Sequence, residues 1–558
     1  MGWQQIYDPL GNAWLSTLLA ALPVVVMLGG LAWLRWQAPW AAAAGLAAAA
    51  AVAVGVYGMP GSMAASAALL GALTGLLPIG WIVLNILFLH QLTERDGSFR
   101  VLQRSIAGLT ADGRLQLLLI AFAFGAFFEG AAGFGTPVAV TAALLIGLGF
   151  TPLAASGLSL IANTAPVAYG ALGTPILTLA KTHGYDAMAV SAMVGRQLPF
   201  FSVLVPFWLL LAFCGWRGMR AVWPAALVAG VTFAVPQFLV SNYIGPELVD
   251  VIAAVCSLGS LALFLRWWRP ADHWTPAGEA IAAATGSGPV GNAAETAEAS
   301  APISTAEVRR AWAPWAILTV FVFCWGLPVV KTWLNGWFAP KFALPGLHHL
   351  VSRMPPVVPE ATSEAAEFTF NLLSASGTGI LLAALVGGRV LGFGWRALGQ
   401  AYAATLWRVR LPLLTIALML ALGTLTRYSG LDTTLGLAFA HTGVFYPFFG
   451  TLLGWLGVAL TGSDTSSNVL FGGLQKVAAG QLGLSENLMG AANSAGGVMG
   501  KMVDAQSIVV AASATGYHGR EGEVLRYVFF HSIALASLVG LLVTLQAYVP
   551  PFTRMVVP

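Results

Sequence analysis

Apolar residues in this chain fall into long runs, at about 12–34, 40–58, 63–90, 115–128 with 134–150, 152–180, 187–213, 221–241 and 246–266. After a gap they resume at about 311–331, 369–388, 411–426, 430–461, 466–480, 487–515 and 524–549. The runs are continuous rather than alternating with period two, so they predict helices and not the strands of a membrane barrel. Several are shorter than a full span or interrupted by polar residues and glycines. The pattern therefore predicts an all-α polytopic membrane protein with about 12–14 transmembrane segments, since one span needs about 20 apolar residues.

Basic residues between the runs orient it. Arg35, then Arg95, Arg100, Arg104 and Arg114, then Arg217 and Arg220, Arg266 and Arg269, Arg309 and Arg310, and Arg389, Arg396, Arg408 and Arg410 share one side if the N-terminus lies outside. The opposite short loops, around Gly58–Gly61 and Ser241–Glu247, carry no Lys or Arg, which puts the C-terminus outside as well. A longer outer segment carries Lys331, Lys341 and Arg353. Residues 1–11 lack a basic n-region and contain Asp8, so no cleavable signal peptide is expected.

The chain divides into two halves, 1–268 and 311–558, joined at 269–310 by a stretch rich in Ala, Gly, Ser, Thr, Glu and Pro that reads as a flexible cytoplasmic linker. A second polar segment, MPPVVPEATSEAAE, covers 354–367. Each half repeats one order of events: an apolar run ends at an acid, small polar residues follow, a second apolar run follows, and a long helix is then interrupted by Asn and glycines. The first half has FFEGAAGFGTPVAV with Glu129 and LIANTAPVAYGALGTP with Asn163. The second has LTGSDTSSNVLFGG with Asp464 and GAANSAGGVMGKMVDAQS with Asn493. This predicts two inverted repeats, each with a re-entrant hairpin (about 115–150 and 444–480) and a broken helix (about 152–180 and 487–515). Free backbone groups at membrane depth cost several kcal/mol each unless protein surrounds them. Repeated broken segments therefore point to a transport site, where half-helix N-termini attract an anion. Thr136 before Pro137, and Ser466 or Ser467 before Asn468, are the expected helix starts.

Composition sharpens the class. Of 558 residues 58% are hydrophobic and 9% charged, with 26 Lys+Arg, 22 Asp+Glu and a net charge of +4. Soluble domains are about 25% charged, so a water-soluble, disordered, collagen-like or disulfide-scaffold protein is excluded. No basic cluster is dense enough for nucleic acid, and the lipid bilayer is the expected environment. Cys214, Cys256 and Cys324 lie in apolar runs and read as packing residues. His90, His441 and the adjacent His348 and His349 lack metal-ligand spacing, and no nucleotide motif is present, so neither a metal nor a cofactor is expected.

Scarce charge makes the few acids near the interruptions informative. A carboxylate out of water holds its proton more readily, which marks Glu129 and Asp464 as proton-coupling candidates, against the plainer reading of an ion pair or helix cap. Asn163, Thr164, Ser466, Ser467, Asn468, Asn493 and Ser494 offer donors to a carboxylate and acceptors for a hydroxyl. Their plainer reading is interhelical hydrogen bonding. Arg196 in VGRQLPF and Lys501 past the second break are the cations available to an anionic substrate, with snorkelling to headgroups the alternative for Arg196.

The blocks WQQIYDPLGNAWLS, FGAFFEGAAGFGTPVAVTAALLIGLGF, NTAPVAYGALGTPI, VGRQLPF, SNYIGPELVD, RMPPVVPEAT, TGSDTSSN and GKMVDAQSI run over nearly the whole chain and resemble the lactate permease family. The resemblance implies uptake of L-lactate, D-lactate and glycolate with a proton across a bacterial inner membrane, by an elevator-type transporter. A homodimer is the assembly considered. The chain departs from the family pattern where Asp504-Ala505 replaces a Ser-Pro pair before Gln506-Ser507. That change is expected to straighten the break, or to pair Asp504 with Lys501 one turn away. Other readings are a Na⁺-coupled carrier of another organic anion, a channel, and a membrane-embedded enzyme using Asp464 with Ser466 or His441, for which no dyad is legible.

Overall fold

A computed structural model describes residues 2–558 except 33, 35, 100, 103–109, 111, 132, 134, 272, 273, 275–303, 359 and 441. The expectations for Arg35, Arg100, Arg104, His441 and most of the 269–310 linker lie outside the described residues.

The described chain is mostly helical. After strand β1 (Trp3–Gln4) come α1 (Ala13–Ala32), α2 (Ala38–Gly55), α3 (Gly61–Thr74), α4 (Trp81–Asp96) and α5 (Gly113–Leu117). The candidate segment of the first half holds α6 (Gly125–Ala131), α7 (Thr136–Gly147), α8 (Pro152–Ala162) and α9 (Gly170–His183). It is followed by α10 (Ala187–Val194), α11 (Leu198–Ala221), α12 (Trp223–Tyr243) and α13 (Val249–Trp267). The second half begins with α14 (Thr305–Gly326) and α15 (Pro328–Trp337). It continues through α16 (Ser376–Val390), α17 (Trp395–Ser429) and α18 (Leu431–Ala440) to α19 (Tyr446–Thr461), α20 (Asp464–Leu482), α21 (Glu486–Gly500), α22 (Ala505–Ala514) and α23 (Glu521–Tyr548).

Among the described residues, 8 helices are long and apolar enough to cross a membrane, or up to 10 if two bent pairs each count as one span. The expectation of about 12–14 segments exceeds this because several apolar runs fold into short helices. Thr136–Gly147 and Ser376–Val390 have 12 and 15 residues, about 18–22 Å at 1.5 Å per residue, against a hydrocarbon core of about 30 Å. The interior is packed with small and aliphatic side chains, while large apolar residues such as Trp216, Trp223, Trp267, Trp407 and Phe530 are exposed, as a lipid-facing surface requires. Cys256 also faces outward, contrary to its reading as a packing residue, whereas Cys214 and Cys324 are half-buried.

The connection between α15 and α16 is not helical. β2 (Lys341–Ala343) pairs antiparallel with β5 (Glu367–Thr369). β3 (Val351–Arg353) pairs antiparallel with β4 (Thr362–Ser363) and parallel with β1, tying the N-terminus to it. The polar segment expected at 354–367 thus contributes two short strands to a fold read as all-α. Arg353, ion-paired to Glu364 at 3.1 Å, donates to the carbonyl of Leu470 at 2.9 Å and so docks this cap on α20.

Candidate functional site

The first polar interruption follows a π-helical stretch, Leu118–Phe124, that runs into α6. The chain turns through Gly133 (φ +61°) and Gly135 (φ +85°) and restarts at Thr136 with Pro137 in the first turn, as the sequence predicted. Glu129 on α6 is buried, and its Oε2 has no hydrogen-bond partner. A Cβ on Gly170 would stand 2.5 Å from Glu129 Oε1, so glycine there is what lets the start of α9 lie on the carboxylate.

The helix after it is broken. α8 ends at Ala162, a 3-10 turn occupies Val167–Tyr169, and the axes on either side differ by 64°. Ala171 (φ +47°) and Leu172 (φ +56°) adopt left-handed backbone, a conformation that costs an L-residue about 1–2 kcal/mol and persists only where the surroundings impose it. Asn163 lies beside Glu129 at this break, and both ends of its buried amide lack partners. Thr164 donates to its own helix, at Ile161 O, 2.8 Å.

In the second half α19 ends at Gly462 (φ +72°), and Ser463 caps α20 by accepting from Ser466 N at 3.4 Å. The helix therefore starts at Asp464. Ser466 and Ser467, the expected starts, lie inside its first turn because Ser463 is already the N-cap. Asp464 is buried. Its Oδ2 accepts from Ser494 Oγ at 2.5 Å and from Asn468 Nδ2 at 3.5 Å, while Oδ1 has no partner. Asn493 Nδ2 donates to Asn468 Oδ1 at 2.9 Å, and Ser467 Oγ donates to Gly454 O at 3.1 Å. Gln475, absent from the sequence reading, donates to Asn493 Oδ1 at 3.1 Å and accepts from Tyr446 OH at 2.8 Å. In this structure Ser467, Asn468, Asn493 and Ser494 thus knit α19, α20 and α21 together and position Asp464.

The second broken helix keeps its break. α21 ends at Gly500, and Asp504 N-caps α22 by accepting from Ser507 N at 2.6 Å. The straightening expected at Asp504-Ala505 does not occur, because an Asp cap ends one helix and starts another equally well. The pairing of Asp504 with Lys501 is present at 3.2 Å, and Lys501 Nζ also donates to Gly462 O at 2.6 Å.

These elements enclose a cavity of about 110 Å³, lined by Glu129, Gly170 and Pro175 from the first half and by Ser463, Asp464, Ser466, Lys501 and Gln506 from the second. That is room for several waters, or for one small organic anion in their place. Lys501 is the one cation among the described lining residues, and its field reaches both Glu129 and Asp464. Sequence reasoning missed Ser463 and Gln506. The Gln506 Oε1 is buried without a partner, and its place one turn past the second break was the available signal. Arg196 is not at this site. It donates to Asn242 Oδ1 and to Met555 O, each at 3.0 Å, in a separate apolar cleft.

Comparison with known proteins agrees with this architecture. Residues 16–550 match the family described as L-lactate permease. Glycolate permease GlcA of Escherichia coli (strain K12) is 47% identical over 100% of this chain and 99% of its own. The L-lactate permease of Salmonella typhimurium is 46% identical over 98% of each chain, and that of Bacillus subtilis 44% over 98% and 99%. Identity of this order over full-length chains leaves one assignment: the chain belongs to the L-lactate permease family and is a multi-pass membrane transporter rather than an enzyme.

Proposed function

We propose that the chain is a proton-coupled symporter that carries L-lactate and related 2-hydroxymonocarboxylates, D-lactate and glycolate, across a bacterial inner membrane, with both termini on the periplasmic side. The substrate class comes from the relatives' names. One observation supports the coupling. Glu129 and Asp464 line the cavity, Asp504 lies behind it, and the one lysine among them is already paired to Asp504. Fully ionised, three carboxylates and one ammonium make the site net negative, which repels an anion across a short distance of low dielectric. Protonating Glu129 and Asp464 removes that repulsion. Substrate then binds the protonated carrier more tightly than the deprotonated one, which is the thermodynamic requirement for coupling.

The anion is received by the α20 N-terminus and by Ser466, Lys501, Asn163 and Gln506. Thr164, Ser467, Asn468, Asn493 and Ser494 act through the packing around them. One proton with one monoanion makes the step electroneutral. The shared order of hairpin and broken helix in 1–268 and 311–558 supports two inverted repeats whose site crosses the barrier as a rigid body. A homodimer is the assembly proposed, and the mass of the purified protein in detergent tests it.

The test is uptake of labelled L-lactate and glycolate into proteoliposomes. An inside-alkaline pH gradient is expected to drive accumulation with no Na⁺ present. Asp464→Asn is expected to lose that accumulation while exchange of labelled for unlabelled substrate persists. Accumulation that requires Na⁺, or full accumulation by Asp464→Asn, overturns the reading.

A further inference from the structure

One buried carboxylate has no part in this mechanism. Asp250 sits in the first turn of α13, is 0% exposed, and neither of its oxygens has a hydrogen-bond partner. An acid so placed in a membrane protein is costly, and its packing gives it no compensating hydrogen bond.

Its neighbours join it to the transport site. α13 crosses α6 at Gly130, the residue after Glu129. A Cβ there would stand 2.7 Å from the Asp250 Cβ and 3.0 Å from Val251 N, so the two helices meet this closely only over glycine. Gly173, in the left-handed turn of the first break, packs on Pro246 just before α13, where its Cβ would stand 2.7 Å from the Pro246 carbonyl. The same turn carries Gly170 against Glu129. On the other side, Glu247 in the short α12–α13 connection is exposed. Asp250 therefore lies between an exposed acid three residues back and an acid lining the cavity.

The titratable groups that face it are few. Glu129 comes from α6 and Tyr169 from the 3-10 turn, the tyrosine donating its hydroxyl to Ser191 O at 2.7 Å. The packed π-helical stretch Leu118–Phe124 carries none. α12 carries only Tyr243, at its exposed end, and the titratable residues of α9, Lys181 and His183, lie in its last turn.

We propose that Asp250 is the proton-loading residue for Glu129, taking a proton from hydronium at the Glu247 end and handing it to the Glu129 carboxylate. In the transfer the O–H bond of the Asp250 carboxylic acid breaks and an O–H bond forms on Glu129. Asp250 is left as a carboxylate, which takes its next proton from hydronium and releases water. Two neighbouring acids in a site this dry do not both ionise, so loading Glu129 and reloading Asp250 alternate. The inference rests on the proton-coupled reading above.

The experiment places a pH-sensitive dye inside proteoliposomes and adds L-lactate outside. Wild-type protein acidifies the lumen. Asp250→Asn is expected to lose acidification and gradient-driven accumulation while labelled exchange persists. Asp250→Glu, which restores a titratable group, is expected to recover both with a displaced pH profile. Asp250→Asn that acidifies the lumen with the wild-type rate and pH profile overturns the proposal, and so does Asp250→Asn that loses exchange as well, since a neutral isostere of the protonated acid must still cycle with substrate. Absence of acidification by the wild type overturns proton symport itself, whereas wild-type acidification with an unaffected Asp250→Asn overturns only the loading role.

Discussion

At the residue scale, each buried charge depends on the partner it is given. Lys501 and Asp504 are 5% and 0% exposed and 3.2 Å apart. Removing one partner of such a pair leaves the other uncompensated, at a cost of about 3–5 kcal/mol. Asp504→Asn is therefore expected to lower the melting temperature of the purified protein sharply in a thermal-shift assay, and an unchanged midpoint would show that the pair is not structurally required. Gly497 tests the acid itself. A Cβ there would overlap Asp464 Oδ1, so Gly497→Ala is expected to displace the carboxylate and abolish uptake while membrane insertion, followed by immunoblot, stays at the wild-type level. Glu129, Asp464 and Lys501 were legible in the sequence because charge is so rare in it. Gln475 and Asp250 were not, because a polar residue inside an apolar helix reads the same whether it faces a partner, a void or lipid. Arg196 was misplaced for the same reason: sequence distance from an apolar run does not say which cavity a side chain enters.

At the element scale, glycine decides how closely the helices of the second half approach. Gly454 lies against the backbone carbonyl of Asn493, and Gly496 against that of Thr451, each without room for a Cβ. Gly454→Ala is expected to push α19 from α21 and destabilise by about 1–3 kcal/mol, the usual effect of overpacking. Gly480, exposed near the end of α20 with nothing within 4 Å of its Cβ position, is the control, where Ala is expected to be neutral or stabilising by about 0.5–1 kcal/mol. Equal melting temperatures for the two variants would contradict the close packing. The breaks themselves were legible, since Asn, Gly and Pro inside apolar runs mark where a helix stops. The local starts were less so. Ser463 caps α20 three or four residues before the expected Ser466 or Ser467, because Gly462 ends α19 immediately before it.

At the scale of the whole molecule, the cavity draws on both halves of the chain, and its charge balance sets the expected energetics. An electroneutral cycle of one proton with one monoanion is insensitive to membrane potential, whereas uptake of the bare anion meets about 2.3 kcal/mol per charge per 100 mV. Setting the potential with a potassium gradient and valinomycin, at equal pH on both sides, is expected to leave the initial rate of lactate uptake unchanged. A rate that follows the potential excludes the one-to-one stoichiometry. The sequence by itself determined that this is a helical membrane protein, where its helices break, which acids stand at the breaks and which family it belongs to. Continuous apolar runs, helix-breaking residues and rare charges are local signals, readable without knowing what packs against what. Only the tertiary structure decided that Glu129 and Asp464 face one cavity, that the asparagines and serines of the second half bond one another, and that Asp250 stands beside Glu129. Those are contacts between different helices, from 25 residues apart for Asn468 and Asn493 to 335 for Glu129 and Asp464, which face one cavity. They depend on close approaches at single glycines, whose meaning in a chain holding 64 of them is set by the neighbouring helix and not by the local sequence.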